Sequence, residues 1–463
     1  MNSTNWKPGF EGSDQSLYVW LSRAISTDVE RGVLKVGTRL PTHRKMADTL
    51  GVAVGTVTRA YSEAERRGLI RSEGRRGTFV GPPQTSSSIL SAIARGFANG
   101  VDLSKNHPSH HLDPDLGGAI RRIARAKDVQ ALLEYPPAAG LARHREAGSK
   151  WFNQLGAAAE PESVFVTAGA QHALAVIFAA ETRRGDIITA ENLTYPGVKA
   201  VAEQFDLQTV GIPADEQGLI PDALESVCRQ RPIRLLYCNP SVANPTNTLS
   251  PLSRRQDLAT VAEKYGLTIV EDEIMRPLLS EHPGFIADLL PEQTYLVISA
   301  SKAVAAGLRV GFVRAPAKSR QKMVDSLNAS CLGVPPLMAE LFSNWLDDGT
   351  IDSIVARRRS DTAARQKLAA ELLAGFKHRG HPVSYHVWLE LPEGWTGMKL
   401  AQAAQTRGAV VTPAEVFAID TRSTINAVRL SLVVPSTLEV LRNGLRTVVG
   451  LLRGNASHEM ATV

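Results

Sequence analysis

The sequence predicts an α/β protein of two unequal parts: a small helix-turn-helix head with a two-stranded wing, and behind it a long region built on a mainly parallel sheet. Three observations predict this. Residues 1–80 hold 13 Lys or Arg against 8 Asp or Glu, which is five of the chain's six net positive charges, so the front of the chain is the nucleic-acid candidate. Residues 81–88, GPPQTSSS, mix stiff prolines with flexible serines and break any helical or strand period. From Val164 onward, short apolar runs alternate with helical patterns, the order expected of strands joined by crossover helices. At 463 residues the chain exceeds one ordinary core. Its 43% hydrophobic and 21% charged residues are those of a globular protein. No run reaches the roughly 18 to 20 apolar residues of a membrane span, and the start lacks the basic-then-apolar order of a signal peptide. A cytoplasmic protein with no membrane partner is therefore expected. Cys228, Cys238 and Cys331 have no metal or redox spacing and read as reduced packing residues; no metal site is expected.

In the head, Leu17, Trp20, Leu21, Ala24, Ile25 and Val29 recur at helical spacing and stop before Gly32, predicting a first helix. A second follows Pro41, with Thr42 as its cap and Met46, Ala47 and Leu50 facing inward. Gly51 can take the left-handed conformation that a tight corner demands. Small Ala47 admits the next helix, about residues 54–67, and Val52, Val57 and Ala60 fill the angle. The exposed edge of that helix carries Thr56, Thr58 and Arg59, short and basic groups suited to phosphates and base edges in a major groove. Residues 69–71 and 78–80 flank a turn that ends in Arg75, Arg76 and Gly77, a wing with a basic tip. Gly77 would let the backbone approach a phosphate while the two arginines supply charge. A helical module of this size could also serve protein contacts; the basic tip and the segment Arg39 to Arg44 favour double-stranded DNA.

These residues resemble the winged helix-turn-helix domain of the GntR family of bacterial transcription regulators. The likeness covers residues 13–81 and rests on Gly37 to Arg44, Thr56 to Tyr61, Gly68 to Ile70 and Gly77 to Val80. It implies that Arg44, Thr56, Arg59 and Gly77 contact DNA. Residues 82–100 are expected to be a linker, and a single large domain is expected over 101–456.

In that domain the strand-like runs are 164–166, 187–189, 235–237, 268–270, 296–298 and 310–313, and ligands of open α/β sheets lie beyond the carboxyl ends of such strands. Thr167 to His172 follows the first run and opens a helix, where free N–H groups and Gly169 form a ready phosphate site near Ala170 and Gln171. Tyr195 follows the second run and can lie flat on a planar heterocycle. Two Asn-Pro steps, Asn239-Pro240 and Asn244-Pro245, follow the third, the second aiming the Asn244 amide. Glu271-Asp272-Glu273 reads as a solvated or metal-seeking trio unless one carboxylate is aimed inward at a protonated ring nitrogen. Lys302 can form an imine with an aldehyde if its amine is kept reactive. Ser299, Ser301 and Arg309 offer hydroxyls and a charge to a phosphate. Taken in order, these groups match what a pyridoxal phosphate pocket requires.

The same order resembles the fold-type-I aminotransferases from about Val101 to Gly454. Joined to the head, the chain is similar to the MocR subgroup of GntR regulators, in which a pyridoxal-phosphate-dependent-transferase-like domain, with a smaller C-terminal α+β subdomain, senses an effector. The resemblance implies that Lys302 holds the cofactor as a Schiff base, Asp272 binds its ring nitrogen, Asn244 its phenolic oxygen, and Tyr195 stacks on it. It implies that Ala170, Gln171, Ser299 and Arg309 hold the phosphate. Arg429 would grip the carboxylate of a small amino compound, and the protein would be a homodimer. Three positions depart from the pattern. Ile274 and Met275 stand where a tyrosine is usual, so the phenolic oxygen loses a donor and the neighbouring imine should keep its proton to higher pH. Asn247 replaces a glycine, and Ala168 a serine. The expected function is a DNA-binding regulator that senses an amino compound or the cofactor itself. The alternatives are an aminotransferase with an accessory DNA-binding module, and a regulator whose pocket takes an effector without cofactor. His107, His110 and His111 read as loop beside Pro108.

Overall fold

The computed structural model describes residues 6–8, 17–30, 32–66, 69–72, 76–81, 100–281, 283–420 and 425–459. Arg75 and residues 82–99 of the expected linker lie outside them. The chain divides into two compact units, residues 1–89 and 90–463.

The front unit has three helices, α1 (Leu17–Glu30), α2 (His43–Leu50) and α3 (Val54–Arg66), and a hairpin of β1 (Ile70–Ser72) and β2 (Thr78–Val80). Thr42 caps α2 by accepting the Lys45 N–H at 3.3 Å. Gly51 ends the helix at φ +66, so the corner has the left-handed geometry that its sequence position called for. Leu21 and Ile25 from α1, Met46 and Ala47 from α2, and Val57, Ala60 and Tyr61 from α3 form one core. The Tyr61 hydroxyl donates to the Pro41 carbonyl at 3.0 Å, which fixes the start of α2 against α3.

The back unit is built on a seven-stranded sheet. In chain order its strands are β3 (Val164–Thr167), β4 (Ile187–Glu191), β5 (Gln208–Ile212), β6 (Ile233–Cys238), β7 (Thr268–Asp272), β8 (Thr294–Ser299) and β9 (Gly311–Arg314). Their spatial order is β3-β9-β8-β7-β6-β4-β5. All pairs are parallel except those of β9, which runs antiparallel to both neighbours. Edge strand β5 was not among the expected runs, because Gln208, Thr209 and Gly211 leave it only Val210 and Ile212 as apolar residues, too short a pattern to stand out. Apolar side chains bury both faces of the sheet against helices.

A second, antiparallel sheet closes the C-terminal part: β10 (His378–Arg379), β11 (His386–Glu390), β12 (Thr412–Pro413) and β13 (Ala427–Ser431), ordered β10-β11-β13-β12. It packs on the helix Leu438–Glu459 through Leu430, Leu441 and Leu445. Residues Val101–Asp102 pair in parallel with Ala409–Val410, so the start of this unit is stitched to its end. All three cysteines are free; Cys238 is buried in the core and Cys228 packs half-buried against it, as expected, whereas Cys331 is exposed at a helix end. No helix among the described residues is long and apolar enough to cross a membrane.

Candidate functional site

The parallel strands deliver their carboxyl ends, and the loops behind them, to one cavity of about 140 Å³. Ala170, Gln171, Tyr195, Asn244, Asp272, Lys302 and Arg309 all line it. Ser299 does not: its hydroxyl is buried and turned to the Val310 carbonyl and Ser301, each at 3.0 Å. Ser301 lines the cavity in its place.

Lys302 stands on the short helix Ala300–Ala303 that leaves β8, and its amine donates to the Asn106 carbonyl. Burial, reinforced by the charges of Arg429 and Arg309, lowers that amine to about 8, although Asp272 pulls the other way. A fraction of it is therefore neutral near physiological pH, the condition for attack on a carbonyl. Asp272, fully buried at the end of β7, is raised by burial to about 6, held down in part by the Tyr237 hydroxyl at 2.6 Å. It remains mostly ionised at neutral pH, in the state that pairs with a protonated ring nitrogen. Burial pushes the Tyr195 phenol up to about 12, so the ring faces the cavity uncharged.

Period-two alternation along β7 resolves the three carboxylates. Asp272 faces the cavity, whereas Glu271 and Glu273 point to the other side of the sheet and meet the fully buried Arg255 at 3.1 and 2.6 Å. Arg255 also donates to the Ser241 hydroxyl at 2.8 Å and the Ser250 carbonyl at 3.1 Å. Glu271 accepts the N–H groups of Ile286 and Ala287 at 3.0 and 2.9 Å. These two carboxylates are thus a structural ion network, neither solvated nor gathered for a metal.

The anion end of the cavity is formed by the start of the helix Ala170–Glu181, which no side chain caps, and by Arg309. Gly169 has φ +81, and a Cβ there would stand 2.8 Å from the Arg309 guanidinium. That guanidinium donates to the Ala168 carbonyl at 3.2 Å. Uncapped helix N–H groups beside an arginine make an anion cradle. Arg429 does not line the cavity; it stands behind Asn244, donating to that amide oxygen at 2.9 Å and to the Ser104 carbonyl at 2.6 Å. With its oxygen held by Arg429, the Asn244 amide has its N–H donors left for the cavity, the polarity a phenolic oxygen needs. Buried Arg429 lies over the Phe417 ring and keeps an Nε–H that is itself buried and without a partner. The donor set thus fits pyridoxal phosphate end to end.

At the departures, Met275 is buried in the core beside the cavity and Ile274 is half-buried, so neither supplies a donor. Asn247 takes φ +60 and uses its side chain as a glycine could not. Its Nδ2 donates to the carbonyls of Arg379 and His386 at 3.0 and 2.9 Å, and its Oδ1 accepts the Ser384 hydroxyl at 2.5 Å. Sequence reasoning missed Tyr237, which had read only as strand, and Asn106 and His386, for which no local signal exists.

On the front unit, Arg44, Thr58, Arg59 and Arg76 are exposed, while Thr56 and Gly77 are half-buried. Thr58 donates to the Val54 carbonyl at 3.0 Å and lies 3.2 Å from His43 Nδ1. The Arg59 guanidinium rests 4.2 Å from the centroid of the Tyr18 ring, which pins it beside α3. Gly77 has φ +111, and the space its missing side chain leaves is taken by Arg39, whose Nε would be 2.6 Å from a Cβ. The glycine therefore brings a further guanidinium to the wing.

Comparison with known proteins follows the same division. The description "Aminotransferase class I and II" matches residues 98–445. The chain belongs to that family. "Bacterial regulatory proteins, gntR family" matches residues 17–80, and the two together are the MocR architecture. The HTH-type transcriptional regulator YdeF of Bacillus subtilis is 28% identical over 449 residues, 97% of each chain. The HTH-type pyridoxine biosynthesis transcriptional regulator PdxR of Corynebacterium glutamicum is 26% identical over 375 residues, 77% of this chain and 79% of its own. Among solved structures, LysN, the alpha-aminoadipate aminotransferase of Thermus thermophilus in complex with N-(5'-phosphopyridoxyl)-L-leucine, superposes with a TM-score of 0.72 at 26% identity. The match covers 81% of this chain and 95% of that one.

Proposed function

We propose that this protein is a transcription regulator that binds double-stranded DNA through its front unit and senses a small amino compound, or pyridoxal phosphate itself, in its back unit. One observation carries the reading: Lys302 and Asp272 line the same cavity in a chain whose other unit is a DNA reader. The relation to a pyridoxine biosynthesis regulator supports the cofactor as one signal. We take residues 13–81 as the DNA-binding domain, 82–100 as the linker and 101–456 as the effector domain, in a cytoplasmic homodimer.

Pyridoxal phosphate, when bound, supplies an aldehyde that amines attack and a ring that withdraws electrons. The residues of this chain do the rest. Lys302 presents the attacking amine, Asp272 holds a proton on the ring nitrogen, and Tyr195 covers one face. Ala170, Gln171 and Arg309 hold the phosphate, and Asn244 donates to the phenolic oxygen. Arg429 selects ligands with a carboxylate, exchanging its bond to Asn244 for the incoming anion. That exchange connects ligand arrival to the loop of Asn244, and a regulator needs such a difference between states for the ligand to shift DNA affinity. Efficient aminotransferase turnover is disfavoured by Met275, which leaves the phenolic oxygen with one donor fewer.

Because the attacking amine must be neutral, the rate of cofactor attachment is expected to rise about tenfold per pH unit below pH 8 and to level off above it. Stopped-flow absorbance on adding pyridoxal phosphate checks this; a rate independent of pH between 6 and 8 would show that another amine reacts. For the head, Arg59→Ala is expected to weaken binding to the protein's own upstream DNA and to reduce the slope of log K against log salt by about 0.9. Fluorescence anisotropy at several salt concentrations reads both quantities, and an unchanged slope would remove Arg59 from the phosphate-contacting set.

A further inference from the structure

Thr58 stands on the exposed edge of α3, but its hydroxyl is already engaged. Oγ1 gives its single proton to the Val54 carbonyl at 3.0 Å, because a carbonyl oxygen can only accept. The imidazole of His43 meets the same oxygen, with Nδ1 at 3.2 Å. Nδ1 must therefore carry the hydrogen of that contact, and a lone pair of Thr58 accepts it. The tautomer of His43 follows. In the neutral ring Nε2 is bare, and it becomes a donor only when the imidazole takes up a proton.

The ring is also held in place. It makes a T with the Tyr61 ring, centroids 4.9 Å apart and planes at 89°, and the Tyr61 hydroxyl is fixed on the Pro41 carbonyl at 3.0 Å. His43 is half-buried, opens α2, and has no partner at Nε2 among the described residues. The groups around it are few. From α3 come the Thr58 hydroxyl and the Tyr61 phenol, which burial keeps protonated; on α2 the exposed cations Arg44 and Lys45 follow it. Among the described residues no carboxylate pairs with it. We propose that His43 is a phosphate contact of the DNA interface: as an imidazolium it keeps Nδ1–H on Thr58 and donates Nε2–H to a DNA phosphodiester, with Thr58 as the residue that positions it. This rests on the reading of the front unit as a DNA binder. Phosphodiesters do not titrate near neutral pH, so the proton comes from solvent. DNA binding then takes up a proton at each head, and affinity falls as pH rises through the range in which histidine changes charge, about 5 to 8.

The test counts protons. A duplex of the protein's own upstream DNA is titrated calorimetrically into the full-length protein at pH 7.5, in two buffers of different ionisation enthalpy. Wild type is expected to take up about 0.5 to 1 proton per bound chain more than His43→Gln, whose amide keeps a donor but cannot titrate. A merely structural histidine would change affinity and leave that count alone. Anisotropy gives a second reading: the slope of log K against log salt should steepen between pH 8 and pH 6 by up to about 0.9 more in wild type than in the variant, one further phosphate neutralised. If His43→Gln does not fold, as judged by circular dichroism, Thr58→Val should lose more affinity at pH 6 than at pH 8, and Thr58→Ser, which keeps the acceptor, should match wild type. Equal proton uptake in wild type and His43→Gln, or an equal loss at both pH values in Thr58→Val, overturns the assignment and leaves DNA binding by the head standing. A wild-type protein that binds no duplex at either pH would overturn the reading of the front unit, and this inference with it.

Discussion

Lys302→Ala is expected to weaken pyridoxal phosphate binding by roughly a hundredfold or more, about 2.7 kcal/mol, and to abolish any absorbance from covalent attachment. Among the described residues that line the cavity, its amine is the single group able to form a bond with the aldehyde, and burial holds it near 8, ready to react. The remaining groups at the cavity, Asp272, Asn244 and Arg309, would still hold the cofactor by charge and hydrogen bonds. Alanine leaves the short helix Ala300–Ala303 intact, since alanine is the best helix former. DNA binding by the front unit should persist in this variant, while its response to pyridoxal phosphate and amino compounds should vanish. Anisotropy with and without the cofactor measures the difference, and a variant that still responds would place the sensor elsewhere.

Arg255→Leu is expected to destabilise the back unit by about 3–5 kcal/mol, the range for removing one partner of a buried ionic network. Arg255, Glu271 and Glu273 are all fully buried, and the guanidinium reaches both carboxylates. Without it two negative charges remain beneath the sheet. Burial, and then the neighbouring Glu273, already raise Glu271 to about 7. In the variant, which lacks the Arg255 charge that now holds it down, Glu271 would be raised further above its unfolded value. The folded state then binds more protons than the unfolded one, so stability falls as pH rises. The cost should accordingly be largest near pH 8 and shrink as pH falls toward 5.5. Urea unfolding of wild type and variant at the two pH values tests this. A cost below about 1 kcal/mol, or one that grows on acidification, would mean the network is not what holds these strands.

Much of this was legible in the chain because it is local. The head was readable from the spacing of Ala47, Gly51 and Val57, since a tight corner needs a left-handed residue and a small neighbour, and Gly51 does sit at φ +66. The main strands showed as short apolar runs because a sheet buried on both faces carries near-continuous apolar stretches. The run Glu271-Asp272-Glu273 was ambiguous in sequence and became clear only with the register of β7, which sends Asp272 to the cavity and its two neighbours to Arg255 on the opposite face. Asn106 and His386 come to the cavity from distant segments, brought there by the pairing of residues 101–102 with 409–410 and by β11. No local pattern encodes such an encounter. Ser299 misled for a related reason. A hydroxyl that follows a strand reads as a ligand, but this one satisfies the backbone of Val310, and Ser301, a little further along the chain, faces the cavity.

The central claim is that the amine of Lys302 holds the cofactor. The most direct measurement is to incubate the full-length protein with pyridoxal phosphate, reduce it with borohydride, digest it and map the modified lysine by mass spectrometry. The account predicts one phosphopyridoxyl group per chain, on Lys302. Unmodified Lys302, with the label absent or spread over surface lysines, would contradict it.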